Sequence, residues 1–250
     1  MRRRTCMRGP YRTDAPYLRE RLQQRVLRTA HRGAPRRAPD NTLESLSAAA
    51  APAVDFVEVD VHLTRDGHLL LWHDEHFITP DGAYPIARHD LRDLRALGIP
   101  DGTIMTLPEA IEVARPHTGL MIDLKAPDLH DAIAHALSEA DLRNVLVCGG
   151  YLDTLTRLKA ALPHVATSLT PGAAFYARPE EELERLPDID ALTVYWRTVG
   201  PRLVRAARAH GVALLAWTVD HEHIARHLIH TGVDGITSND LDLLERLPVT

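Results

Sequence analysis

Residues 57–67 read Val57-Glu58-Val59-Asp60-Val61-His62-Leu63-Thr64-Arg65-Asp66-Gly67, and the first seven alternate apolar with polar side chains. A period of two is the signature of a β-strand, so Glu58 and Asp60 project from one face while the valines project from the other. Asp66-Gly67 then supplies a two-residue hairpin signal, and His68–His73 returns as a second strand.

Outward from this unit, apolar β-rich runs recur at Val26–His31, Gly119–Leu124, Val145–Cys148, Val165–Leu169, Ala191–Tyr195, Ala213–Val219 and Gly235–Ser238. Helical patterns fall between them at Asn41–Ala51, Leu107–Arg115, Leu129–Ala140, Leu152–Ala161, Glu180–Leu186, Pro201–His210 and Ile224–Thr231, and Leu241–Leu247 follows the last strand. Asp40 or Asn41 is placed to cap the first helix, Pro108 sits in a first turn, and Gly211 follows a helix as a C′ glycine does. Strand and helix in alternation call for a parallel sheet with crossover helices. A doubly wound open sheet has the same rhythm, but no GxGxxG or GxxxxGK loop follows any strand. Eight strands and eight helices in alternation fit a closed (β/α)8 TIM barrel, with the β-hairpin and a short insertion, Asp74–Met105, after the second strand.

Composition sets wider bounds. With 250 residues, 45% hydrophobic, the chain can bury one large core or two small ones. The net charge of −5 offers no global attraction to nucleic acid, so no nucleic-acid partner is expected. Two cysteines, Cys6 and Cys148, cannot build a disulfide framework, which points to a reducing compartment. Nine arginines fall within residues 1–28, and no segment has the roughly 20 apolar residues of a membrane span or a signal-peptide core. The chain therefore reads as soluble and cytoplasmic, without stable membrane insertion. Residues 1–24 are expected to be a flexible Arg-rich extension and residues 25–250 a single barrel domain; oligomeric state is left open.

Polar groups at the C-terminal ends of barrel strands line the mouth, where this fold carries its chemistry. Two carboxylates on one face repel unless a cation or proton intervenes, so Glu58 and Asp60 call for a hard divalent metal. Met121-Ile-Asp-Leu-Lys places Asp123 and Lys125 on one face of the next barrel strand, where Asp123 could complete an oxygen cage. Surface positions on an exposed hairpin or edge strand are the alternative for these carboxylates. Of 15 histidines, two stand at strand ends: His31, before Arg32-Gly33, and His73, which the hairpin carries back toward the carboxylates. Two imidazoles flanking a metal-bound diester suit a general base and a general acid, and Arg32 and Lys125 suit its phosphate.

These residues occur in an ordered set: His31-Arg-Gly, Pro39-Asp-Asn-Thr, Val57-Glu-Val-Asp-Val-His-Leu-Thr-Arg-Asp-Gly, Trp72-His-Asp, Ile122-Asp-Leu-Lys, Ala216-Trp-Thr-Val and Gly232-Val-Asp-Gly-Ile-Thr-Ser. The set resembles the signature of the glycerophosphodiester phosphodiesterase family from about Leu27 to Ser238. The resemblance implies a (β/α)8 barrel that uses one divalent cation, Ca2+ or Mg2+, to split glycerophosphodiesters into sn-glycerol 3-phosphate and an alcohol. It implies Glu58, Asp60 and Asp123 as metal ligands and His31 with His73 as the acid/base pair. Arg32, Lys125 and the aromatic Trp217 would bind substrate. Relatives of the family act as lysophospholipase D, and Phe77, Ile78, Tyr84 and Ile86 could give such an enzyme an apolar groove. A catalytically silent binding barrel is the non-enzymatic alternative. Three departures from the family pattern stand out: Asp123 where Glu is usual, Pro-Asp-Asn-Thr for Pro-Glu-Asn-Thr, and Gly149-Gly150-Tyr151 for a Ser-Phe after the fourth strand.

Overall fold

The computed structural model describes residues 10–50, 53–97, 104–140 and 143–248. In chain order the elements are α1 (Pro16–Gln24), β1 (Leu27–Ala30), α2 (Leu43–Ala49), β2 (Phe56–Leu63), β3 (Leu69–Leu71), β4 (His76–Thr79), β5 (Gly82–Pro85), α3 (Leu91–Arg95), α4 (Leu107–Ala114) and β6 (Gly119–Leu124). There follow α5 (His130–Glu139), β7 (Val145–Gly149), α6 (Leu152–Ala161), β8 (Ala166–Leu169), α7 (Pro179–Arg185), β9 (Ala191–Tyr195), α8 (Pro201–Ala209), β10 (Ala213–Trp217), α9 (Glu222–Thr231), β11 (Gly235–Ser238) and α10 (Leu241–Arg246). Eight parallel strands run β1-β11-β10-β9-β8-β7-β6-β2, and β1 also pairs with β2, which closes the ring into the expected (β/α)8 barrel.

Period-two alternation sorts the strand side chains into two cores. Val57, Val59, Ile122 and Val147 face outward and join Leu46, Ile111, Ile133 and Leu155 of the surrounding helices. Leu27, Phe56, Met121, Leu146, Cys148, Ala213 and Leu215 face inward and fill the barrel. At the N-terminal rim Asp55, Asp190 and Asp234 each immediately precede a strand. Each accepts a hydrogen bond from a backbone N–H of the neighbouring strand, from Arg28 (2.9 Å), Thr167 (2.7 Å) and Leu214 (2.9 Å). These carboxylates brace β1 to β2, β8 to β9 and β10 to β11.

The expected flexible lead is corrected in part. Residues 1–9 lie outside the described residues, but residues 16–24 form α1, which stops the barrel floor. Leu18 and Leu22 are buried in the inner core, and burying each stabilises by about 1.5–3 kcal/mol. Polar contacts fasten the same segment: Tyr11 Oη donates to Asp234 (2.7 Å), Arg12 Nε to the Ile189 carbonyl (2.8 Å), and Arg25 Nη2 to Asp55 (2.8 Å).

The hairpin has a longer connection and a shorter return strand than expected. Thr64 N donates to the His68 carbonyl, so the connection is three residues, Arg65-Asp66-Gly67, with Gly67 at φ +84°. A left-handed third position is what a three-residue hairpin requires. The return strand is short, Leu69–Leu71, and His73 lies beyond it. The excursion that follows forms the two-stranded β4–β5 sheet and α3 around a small core of Leu70, Phe77, Ile86, Leu91, Leu94 and Ile104; residues 98–103 lie outside the described residues. Thr42, not Asp40 or Asn41, caps α2, its side chain accepting from Ser45 N.

Candidate active site

Parallel register brings the carboxylates together. Asp60 of β2 pairs with Asp123 of β6, and Glu58 lies two residues earlier on the same face. One carboxylate oxygen from each of Glu58, Asp60 and Asp123 lies within 4.8 Å of the others, and the first two residues are buried. An all-oxygen donor set of three carboxylates fits a hard divalent cation. Among the described residues no other group of three His, Cys, Asp or Glu side chains converges in this way.

The basic residues are threaded between them. Lys125 Nζ is 2.8 Å from Asp60 Oδ1 and 2.5 Å from Asp123 Oδ2. Burial works against its charge, but Asp123 and Asp60 outweigh burial and hold the ammonium well above its usual range. Arg32 Nε lies 3.1 Å from Asp60 Oδ2 and Nη1 3.1 Å from Asp40. Burial would raise the Asp60 pKa, yet Lys125 and Arg32 together pull it down. At Glu58 burial first, then Asp60 and Asp123, outweigh the Arg32 backbone N–H and Lys125 and push it well above the ordinary carboxylate range. Concentrated negative charge of this kind is what a cation would relieve.

The turn after β1 is built for this site. Arg32 and Gly33 are both left-handed, at φ 53° and 88°. Left-handed backbone in a non-glycine residue is costly and clusters at functional sites. Here it aims the Arg32 backbone N–H at Glu58 Oε2 (2.8 Å), while the Arg32 carbonyl accepts from Asn41 N (3.1 Å) and Ser45 Oγ (3.0 Å).

The two histidines reach the same cavity, of about 450 Å³, from opposite environments. His31 is mostly buried, with Nδ1 2.8 Å from Asn239 Oδ1 and Nε2 3.9 Å from Glu58 Oε2; burial lowers its pKa, a hydrogen bond to Asn239 opposing. His73 is exposed, and its Nδ1 is 2.7 Å from Asp74 Oδ1. Trp217 also lines the cavity, with Tyr195 5.8 Å away between ring centroids. All eight residues singled out by sequence therefore converge at the mouth: seven line the cavity, and Asp60 is buried behind Arg32 and Lys125.

Several supporting residues escaped the sequence reading. Asn41 and Asp60 exchange two hydrogen bonds. Cys148 Sγ lies 3.6 Å from Asp123 Oδ1, and Tyr151 Oη donates to the Lys125 carbonyl (3.0 Å). His62, on the Glu58–Asp60 face, sets Nε2 3.3 Å from the His73 carbonyl. Alternation along β2 could have found His62; the others depend on register between distant segments.

Fold and mouth together place the chain in the class of (β/α)8-barrel enzymes, whose chemistry sits at the C-terminal ends of the strands. The chain belongs to the glycerophosphoryl diester phosphodiesterase family, whose sequence model matches residues 31–243. It is 28% identical over 239 residues to a glycerophosphodiester phosphodiesterase of Caldanaerobacter subterraneus subsp. tengcongensis, covering 89% of this chain and 98% of that one. An Oleispira antarctica phosphodiesterase solved in complex with the product sn-glycerol-3-phosphate superposes with a TM-score of 0.73 at 30% identity, covering 86% of this chain and 93% of that one. A glycerophosphodiester phosphodiesterase from Thermotoga maritima shares the fold with a TM-score of 0.73 at 23% identity, covering 89% and 98%.

Proposed function

We propose that the protein hydrolyses glycerophosphodiesters to sn-glycerol 3-phosphate and an alcohol, using one divalent cation and His31 and His73 as its acid/base pair. The observation that carries this reading is the convergence of three carboxylates, two imidazoles and two basic side chains on one cavity. The product held by the Oleispira antarctica relative supports the same substrate class. A Ca2+ or Mg2+ ion held by Glu58, Asp60 and Asp123 would supply positive charge to the non-bridging phosphate oxygens. Lys125 has a third N–H, and Arg32 further N–H groups, to bind the same phosphate. One imidazole then takes the proton of the attacking hydroxyl while the other gives a proton to the departing alkoxide, so the P–O bond broken is replaced by the P–O bond formed.

Of the four residues expected to form the apolar groove that a lysophospholipid would need, Tyr84 packs partly buried against the excursion's core. Phe77 and Ile86 are buried inside the excursion's own core, and Ile78 is exposed. The test is release of choline from glycerophosphocholine, with sn-glycerol 3-phosphate as the other product, compared with choline release from lysophosphatidylcholine, with chelator and with added Ca2+ or Mg2+. Glycerophosphocholine is expected to be the better substrate, with activity lost to chelator and restored by either ion. Undiminished turnover in chelator would remove the cation from the reading, and no turnover of any diester would favour a silent barrel.

A further inference from the structure

The β1–β11 pairing aligns Ala30 with Ser238, and the backbone N–H of His31 continues it to the Ser238 carbonyl at 3.0 Å. The next residues along the two strands are thus side by side, and His31 Nδ1 meets Asn239 Oδ1 at 2.8 Å. Asn239 is not free to choose which end of its amide it offers. Its Nδ2 lies 2.7 Å from Asp220 Oδ2, and a carboxylate only accepts, so the NH2 group must face Asp220 and the carbonyl must face His31. Asp220 is itself fixed, because its Oδ1 accepts from the Asn239 backbone N–H (2.8 Å) and from Ser238 Oγ (3.0 Å). The chain of constraint runs one way: backbone to carboxylate, carboxylate to amide, amide to imidazole.

We propose that Asp220 and Asn239 are positioning residues that lock His31 as its Nδ1–H tautomer, leaving a bare lone pair on Nε2, the nitrogen turned toward Glu58. Neutral imidazole carries one proton, and an acceptor at Nδ1 decides where it sits. The lock uses a neutral amide against the ring, whereas His73 has a carboxylate at the equivalent nitrogen. The two histidines are therefore held differently: His31 is set to accept a proton through Nε2, whereas His73 carries Asp74 at its Nδ1. This inference rests on the proposed acid/base roles for its catalytic meaning, but the tautomer itself does not depend on them.

Asp220→Asn is the discriminating variant because it keeps shape. The Asn239 backbone N–H cannot reverse, so the new amide must keep its oxygen there and turn its NH2 toward Asn239. Asn239 then has to rotate, presenting its own NH2 to His31 and demanding a lone pair on Nδ1. Long-range 1H–15N spectra of the full chain labelled with 15N-histidine read the result without any need for turnover. The wild type is expected to show His31 protonated on Nδ1, and Asp220→Asn to move the proton to Nε2. With glycerophosphocholine, kcat should fall roughly 10²–10⁴-fold, the range that general acid–base catalysis supplies, with KM changed less than about threefold. A wild-type His31 protonated on Nε2, or an Asp220→Asn variant that keeps the Nδ1 proton, would overturn the proposal whatever the activity. Full activity of His31→Ala would instead overturn the acid/base reading and leave the spectral result standing.

Discussion

Asn41 and Asp60 hold each other by two reciprocal hydrogen bonds: Asn41 Nδ2 donates to Asp60 Oδ2 at 2.9 Å, and the Asp60 backbone N–H donates to Asn41 Oδ1 at 3.1 Å. The pair ties the loop after β1 to the middle of β2, and it fixes the rotamer of a buried carboxylate that the site needs in one orientation. Asn41 manages this from a left-handed backbone, φ 57°, a conformation Asn tolerates better than most residues.

Asn41→Ala is expected to leave the Asp60 backbone N–H unpaired and its Oδ2 with Arg32 alone, and to lower cation affinity roughly 10–100-fold, the usual effect of losing a group that orients a ligand. Calorimetric titration of Ca2+ or Mg2+ into both proteins measures this, and equal affinities would show that Asp60 needs no such support.

His31→Ala and His73→Ala should each lower kcat on glycerophosphocholine about 10²–10⁴-fold. For His73, whose side chain is 46% exposed, the thermal midpoint should stay close to wild type. A rate near wild type in both variants would end the acid/base assignment.

Gly33→Ala tests the turn. A Cβ there would stand 2.8 Å from the Ser45 backbone carbon, at a φ of +88° that side chains rarely adopt. Destabilisation of more than about 1 kcal/mol is expected, read as a lowered urea midpoint together with a loss of activity; an unchanged midpoint would show that the turn can relax.

Leu22→Ala tests the floor. Leu22 is fully buried between α1 and the inner barrel residues, so the substitution should cost about 2–5 kcal/mol by denaturant titration. A cost below about 0.5 kcal/mol, the level of an ordinary surface change, would mean that α1 contributes little to closing the barrel.

Acid stability offers a separate check. Burial lowers the pKa of His62, with its bond to the His73 carbonyl opposing. The unfolded chain then binds a proton that the folded chain resists, so stability is lost as pH falls through the ordinary histidine range near 6.5. His62→Gln should lose less thermal stability than wild type between pH 7.5 and pH 5.5. Equal slopes would assign the acid sensitivity to other groups.

What could be read in advance was whatever a local pattern encodes. Alternation in Val57–Leu63 set Glu58 and Asp60 on one face, and eight repeats of strand and helix were enough to suggest closure, because parallel strands need crossovers whatever their neighbours are. The ordered His-Arg-Gly, Trp-His-Asp and Asp-Leu-Lys segments named the mouth residues. The register in which β1 meets β2 and the partnerships of Asn41, Cys148, Tyr151 and Asn239 could not be read, since register between distant strands leaves no local mark. The helix at Pro16–Gln24 was hidden for a different reason: its two inward leucines stand four apart among arginines that composition reads as solvated, and only the i, i+4 spacing hinted at a buried stripe.

The placement of β1 between β11 and β2 also bears on how the enzyme comes into being. His31 and Asn239 are 208 positions apart, and the strand bearing one is held in the ring by the strand bearing the other. During synthesis the histidine emerges early but gains its partner only when almost every other strand is in place. A nascent chain, or one cut short before β11, would carry Glu58, Asp60 and Asp123 and still lack Asn239 beside His31, so the imidazole is oriented only once the barrel has been completed.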